Sequence, residues 1–145
     1  MYHVLVALDE DESRAHAQAE AVAELPAADD EVRATLFHAF TDNPRGASAT
    51  QVAGVRRARE ALDDAGVEVD VVETSGDPAE EILDAARNRD ADAVCVGGRK
   101  RSPAGKALFG SVVQSVVLNA DRPVIVAGER EAESGSRRRR RGVFV

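Results

Sequence analysis

Asp77-Pro78-Ala79-Glu80-Glu81-Ile82-Leu83-Asp84-Ala85-Ala86 leads, a few residues on, into Ala93-Val94-Cys95-Val96-Gly97-Gly98. The first half reads as a helix. Asp77 can cap it, and Pro78 suits its first position, where a missing N–H costs nothing. Glu80 and Glu81 favour the positive end of the dipole, and Ile82, Leu83 and Ala86 recur at helical spacing. The second half is an uncharged apolar run closed by glycines, as expected of a strand buried on both faces.

The same alternation runs through the chain. Apolar runs at His3–Leu8, Val32–Phe40, Val67–Val72, Ala93–Gly97 and Val124–Ala127 are separated by segments of helical period. The first helix runs from about Glu12 to Leu25, with Ala15, Ala19, Val22 and Ala23 on one face and Asp11 or Ser13 as its cap. The second carries Val52, Val55, Ala58, Leu62 and Ala65 and stops at Gly66. The last follows Gly110, with Val112, Val113, Val116 and Val117 inward. Thr41–Gly46 reads as a loop. Strands alternating with helices imply an α/β fold with a parallel sheet.

Strand burial orders that sheet. Val67, Val69 and Val71 alternate with Glu68 and Asp70, so the third strand is half exposed, whereas the first and fourth carry no charge between their ends and are central. An open, doubly wound, five-stranded parallel sheet of order 3-2-1-4-5, with four helices on both faces, satisfies this with right-handed crossovers. The fifth strand is then an edge that is apolar on both faces. Such an edge wants a partner. A homodimer built around Val124, Ile125 and Val126 is expected, the alternative being a tail folded back over them.

A chain of 145 residues with one cysteine implies one compact domain without disulfides, residues 1–128, followed by a flexible basic tail, 129–145. Cys95 reads as a small packed hydrophobe. The first apolar run is too short for a membrane span and lacks the flanks of a signal peptide, so a cytoplasmic protein is expected. Net charge is −7, and the six arginines and three glutamates of residues 129–145 leave residues 1–128 at −10. Only Lys100 and Lys106 are lysines among 19 basic residues, a carboxylate-rich composition that resembles proteins of salt-loving archaea. An acidic body also argues against a nucleic-acid partner, and salt screens the Arg137–Arg141 block.

In an open parallel sheet a ligand lies beyond the strand carboxyl ends where the winding reverses, here between the first and fourth strands. The first ends in Ala7-Leu8-Asp9 and the fourth in Val96-Gly97-Gly98, followed by a loop leading to Gly110-Ser111 at a helix start. Glycines admit close phosphate approach, and a helix N-terminus offers unpaired N–H groups. Arg99, Lys100, Arg101 and Lys106 add four positive charges in that loop. The competing reading is a solvated basic loop and a plain capping box, Ser111-Val112-Val113-Gln114.

Val94–Gly98, Gly110-Ser111 and Asp121-Arg122-Pro123-Val124-Ile125-Val126, with Val4–Asp9, Leu36-Phe37-His38-Ala39 and Gly76-Asp77-Pro78-Ala79, resemble the landmarks of the universal stress protein family, in order across residues 1–128. The resemblance implies a homodimeric stress-response sensor or regulator binding ATP or another adenine nucleotide. The family's ATP-binding motif is G-x2-G-x9-G-[ST]. Gly97, Gly110 and Ser111 fall on its first, third and fourth anchors, while Lys100 replaces the second glycine and either reaches a phosphate or obstructs the ribose. By the same match Ala7, Asp9 and Ala39 line the adenine pocket, and Val96 flanks the adenosine. For Asp9 the alternative role is an Asx turn at the helix start. Glu10 and Asp11 add repulsion toward an anion, which Mg²⁺ or Mn²⁺ arriving with the nucleotide would relieve.

Other signals fail in detail. Gly105-Lys106 lacks the earlier glycine and the final hydroxyl of a P-loop, and no G-x-G-x-x-G follows the first strand. A phospho-receiver would need an aspartate where Glu73-Thr74-Ser75 stands. His3, His16 and His38 lack metal-ligand spacing, and His38 reads as a structural hydrogen-bonder. No nucleophile with a base is evident, so the chain is not expected to be an enzyme. The alternatives are a family member that acts by dimerisation without nucleotide, and a weak metal-dependent ATPase.

Overall fold

The computed structural model describes residues 1–41, 46–98 and 109–128. Five strands, β1 (Tyr2–Ala7), β2 (Val32–Phe40), β3 (Glu68–Ser75), β4 (Ala93–Gly97) and β5 (Val124–Ala127), form one sheet of order β3-β2-β1-β4-β5. Every pairing is parallel. The helices are α1 (Glu12–Ala23), α2 (Ala28–Glu31), α3 (Ala53–Asp64), α4 (Pro78–Asn88) and α5 (Ser111–Asn119), with a 3-10 turn at Ala49–Gln51. Fold class and strand order are those expected from the sequence.

Strand alternation splits the core in two. Val4, Val6, Ala34 and Leu36 face α1 and α3, where Ala15, Ala19, Val22, Val55, Ala58 and Leu62 are buried. Leu5, Phe37, Val94 and Val96 face α4 and α5, meeting Ile82, Ala86 and Val116. β1 and β4 supply both cores, which is why neither tolerates a charge. Cys95 is fully buried, and burial pushes its thiol pKa up to about 12.

Two helix starts follow the sequence, while α1 stops at Ala23, two residues before the expected Leu25. The Asp11 and Asp77 side chains accept from the N–H groups of Arg14 and Glu80 as N-caps. Arg122 Nη1 donates to the carbonyls of Ala86 and Ala91, fixing the approach to β5 against the end of α4.

Five differences are informative. The one-turn α2 makes five helices where four were expected, because four residues are too short to show a period. β3 runs on to Ser75, since Glu73 and Ser75 point out from an edge strand and carry no apolar signal. Ala65 is the exposed C-cap of α3, not part of its buried face. Val117 is 46% exposed rather than inward, because α5 lies at the sheet edge with α4 on one flank. The box at Ser111 does not form: Gly110 is the N-cap and Ser111 takes the first helical position, out of reach of that role. The Arg137–Arg141 block and the tail lie outside the described residues.

A polar chain crosses the lower part of the sheet. Arg33 Nη2 lies 3.2 Å from His3 Nδ1, and His3 Nε2 lies 2.7 Å from Thr35 Oγ1. Thr35 donates its hydroxyl proton to Asp70 Oδ1 at 2.8 Å. Thr35 therefore accepts from Nε2–H, leaving Nδ1 to accept from Arg33. A second ring proton would face the guanidinium. Burial first, and Arg33 second, hold the His3 pKa below its ordinary 6.5, outweighing Asp70 and Asp92. Between the lowered pKa and 6.5 the unfolded chain binds a proton that the folded chain refuses. Stability from this group is thus complete above 6.5 and is lost as pH falls below it. Urea midpoints measured across this range should decline toward acid, and His3→Gln should flatten the decline. An identical profile in the variant would remove His3 as its cause.

Candidate functional site

The register of β1 with β4 ends at Val6↔Cys95, although β1 continues to Ala7 and β4 to Gly97. Above that point the strands part. Gln18 of α1, 2% exposed, reaches between them, its Nε2 donating to the carbonyls of Ala7 at 2.7 Å and Cys95 at 3.3 Å. A cavity of about 180 Å³ opens over this point. Its apolar wall comes from Ala7, Ala39 and Val96 on the strands, Ile82 on α4, and Val112 and Val113 on α5. Asp9, Arg14, Gln18 and Gly97 bring the polar groups.

Five of the expected residues, Ala7, Asp9, Ala39, Val96 and Gly97, line this one cavity. Gly110 and Ser111 do not, but they begin the helix whose next two residues do. Lys100, with Arg99, Arg101 and Lys106, lies outside the described residues. Asp9 makes the Asx turn expected of it as the alternative role, and it also lines the cavity. Its Oδ1 accepts from the Asp11 N–H at 3.0 Å, making the Asx turn, while Oδ2 faces the cavity side chain Arg14.

Arg14 and Gln18 are the residues that sequence reasoning missed. Arg14 Nη2 lies 3.0 Å from Asp9 Oδ2 and 3.5 Å from Asp11 Oδ2. Its stem crosses Gly97, where an added Cβ would sit 2.4 Å from Arg14 Cγ and Cδ. The available signal was Gln18 itself, a polar residue beside the apolar face of Ala15, Ala19 and Val22, one helical turn after Arg14. His38 is structural, as expected: its Nδ1 lies 2.8 Å from the Leu8 carbonyl, and its ring packs edge-on to Phe40.

A larger, more open concavity of about 600 Å³ lies at the other end of the sheet, lined by Met1, Tyr2, Leu25, Pro26, Asp30, Glu31 and Val32. It sits at the amino ends of β1 and β2, away from the winding reversal, and its charged lining residues are both acidic. The switch-point crevice is the better candidate because apolar wall, carboxylate, guanidinium and amide converge there. Among the described residues no three His, Cys, Asp or Glu side chains are grouped to hold a metal. No described helix is long and apolar enough to cross a membrane.

Sheet order and crevice together define a doubly wound α/β domain with a crevice at its switch point. The model of the universal stress protein family matches residues 1–128, and the chain belongs to that family. A universal stress protein from Mycolicibacterium smegmatis is 40% identical over 65 residues, covering 44% of this chain and 50% of that protein. The match thus spans half the length of this relative. The structure of a universal stress protein from Archaeoglobus fulgidus is 30% identical, with a TM-score of 0.72, covering 88% of this chain and 98% of that one. An Archaeoglobus fulgidus universal stress protein in complex with dAMP has a TM-score of 0.67 at 24% identity, covering 88% and 98% of the two chains.

Proposed function

We propose that this protein is a cytoplasmic stress-response sensor or regulator that binds ATP or another adenine nucleotide in the switch-point crevice and works as a homodimer. The observation that carries the reading is the convergence of Ala7, Asp9, Ala39, Val96 and Gly97 on one cavity. The small residues Ala7 and Ala39 leave room for a flat base, and Asp9 offers a carboxylate to its amino group. The dAMP complex of the similar Archaeoglobus protein supports an adenine nucleotide as the class of ligand. Mg²⁺ or Mn²⁺ would come with the phosphates of a nucleotide. Two lining groups are already engaged, Asp9 with Arg14 and His38 Nδ1 with Leu8, which favours binding over turnover.

For the dimer, Val126 is 39% exposed on edge strand β5, and Val117 and Leu118 on α5 are 46% and 74% exposed. Apolar side chains beside an open strand edge support pairing through Val124, Ile125 and Val126.

Protein purified in molar KCl and then denatured should release adenine nucleotide in near-stoichiometric amount, read by mass spectrometry. Sedimentation of the same preparation should give twice the chain mass. A spectrum without nucleotide, together with no calorimetric heat on adding AMP or MgATP, would sink the nucleotide reading.

A further inference from the structure

Arg14 stands where a crevice ligand would have to go. Its guanidinium bonds the Asp9 carboxylate at 3.0 Å and its stem covers Gly97, and all three residues line the cavity. A ligand that lies against Gly97 and bonds Asp9 takes both the place of Arg14 and its partner. Asp11 offers Arg14 only a longer contact of 3.5 Å, and its Oδ1 already caps α1 by accepting from the Arg14 N–H. The displaced guanidinium then keeps only this longer contact and gains from another anion. An uncharged nucleoside brings none, whereas a phosphate offers oxygens that match the planar fork.

We infer that Arg14 is a specificity-determining residue that makes the crevice select phosphorylated nucleotides over the bare nucleoside, because ligand arrival exchanges its Asp9 partner for the ligand's phosphate. The inference rests on the nucleotide reading above. It makes Arg14 the discriminating cation of the described cavity lining. Of the two residues expected to repel an anion, Glu10 and Asp11, it also gives Asp11 a local counter-charge.

The test is calorimetric titration of the wild type, Arg14→Ala and Arg14→Lys with AMP and with adenosine. In the wild type AMP should bind and adenosine should bind more weakly. In Arg14→Ala adenosine should gain affinity, since Gly97 is uncovered and Asp9 released, while AMP loses it. The ratio should fall by roughly tenfold or more, the scale of one charge-assisted bond. Arg14→Lys should restore part of the ratio. Arg14→Gln, with folding checked by urea melts, replaces the alanine variant should that one fail to fold. An unchanged ratio with AMP still bound overturns the inference and leaves the nucleotide site standing. No AMP binding by wild type and variant alike overturns the site reading and the inference with it.

Discussion

Gly54→Ala is expected to cost about 3 kcal/mol or more of stability, at or beyond the upper end for overpacked sites. Gly54 is the second residue of α3, and an added Cβ would sit 2.1 Å from the Asp9 carbonyl oxygen and 3.2 Å from its carbonyl carbon. The obstacle is backbone, so no rotamer relieves it. Either α3 lifts from the sheet, uncovering Val55, Ala58 and Leu62, or the β1–α1 loop shifts and carries Asp9 from the crevice. In a domain whose whole stability is of the order of 5–15 kcal/mol, the melting temperature should fall by roughly 10 °C. Thermal melts followed by circular dichroism read this directly. Gly97→Ala is the comparison: its Cβ would meet the side chains of Arg14 and Gln18 and no backbone, so its melt should fall by less than that of Gly54→Ala. Equal melts for Gly54→Ala and wild type would show that the contact relaxes without strain.

What could be read before any coordinates depended on whether a residue's role is fixed by its neighbours in the chain. β2, β4 and β5 begin and end where their apolar runs do, because burial on a central strand or an apolar edge is written in composition. Asp9 and Gly97 were legible because the winding rule assigns the crevice to the ends of their strands. β3 past Val72 and the short α2 were not, since an exposed edge strand and a single turn carry little hydrophobic signal. Ser111 shows the limit of a local motif. Its S-x-x-Q spacing fits a capping box, but the backbone at Gly110 starts the helix one residue earlier, and no spacing rule separates the two. Arg14 and Gln18 were missed for a different reason, although Gln18 beside an apolar face was a signal. The helical period puts them on one face of α1, but only the sheet shows that this face overlooks the point where β1 and β4 separate.

Gln18→Leu is expected to destabilise the protein by about 1–3 kcal/mol, the cost of leaving the buried Cys95 carbonyl and the part-buried Ala7 carbonyl without their shared donor. The paired register of β1 and β4 stops at Val6↔Cys95, so the Ala7 carbonyl lies past the end of the ladder, where Gln18 Nε2 supplies its bond at 2.7 Å. Leucine fills a similar volume at this 2%-exposed position but donates nothing. The fold should survive, because the apolar contacts of α1 through Ala15, Ala19 and Val22 are untouched. The loss should appear as a lower urea midpoint and as weaker amide-exchange protection at the carboxyl ends of β1 and β4, with the rest of the sheet protected as before. Gln18→Glu should be worse at neutral pH, since it too loses the donor and brings a carboxylate toward two carbonyl oxygens. That order, glutamine above leucine above glutamate, distinguishes a hydrogen-bonding wedge from a side chain that merely fills space. Were leucine as stable as glutamine, shape alone would hold the strands apart. The floor of the crevice would then owe nothing to the amide.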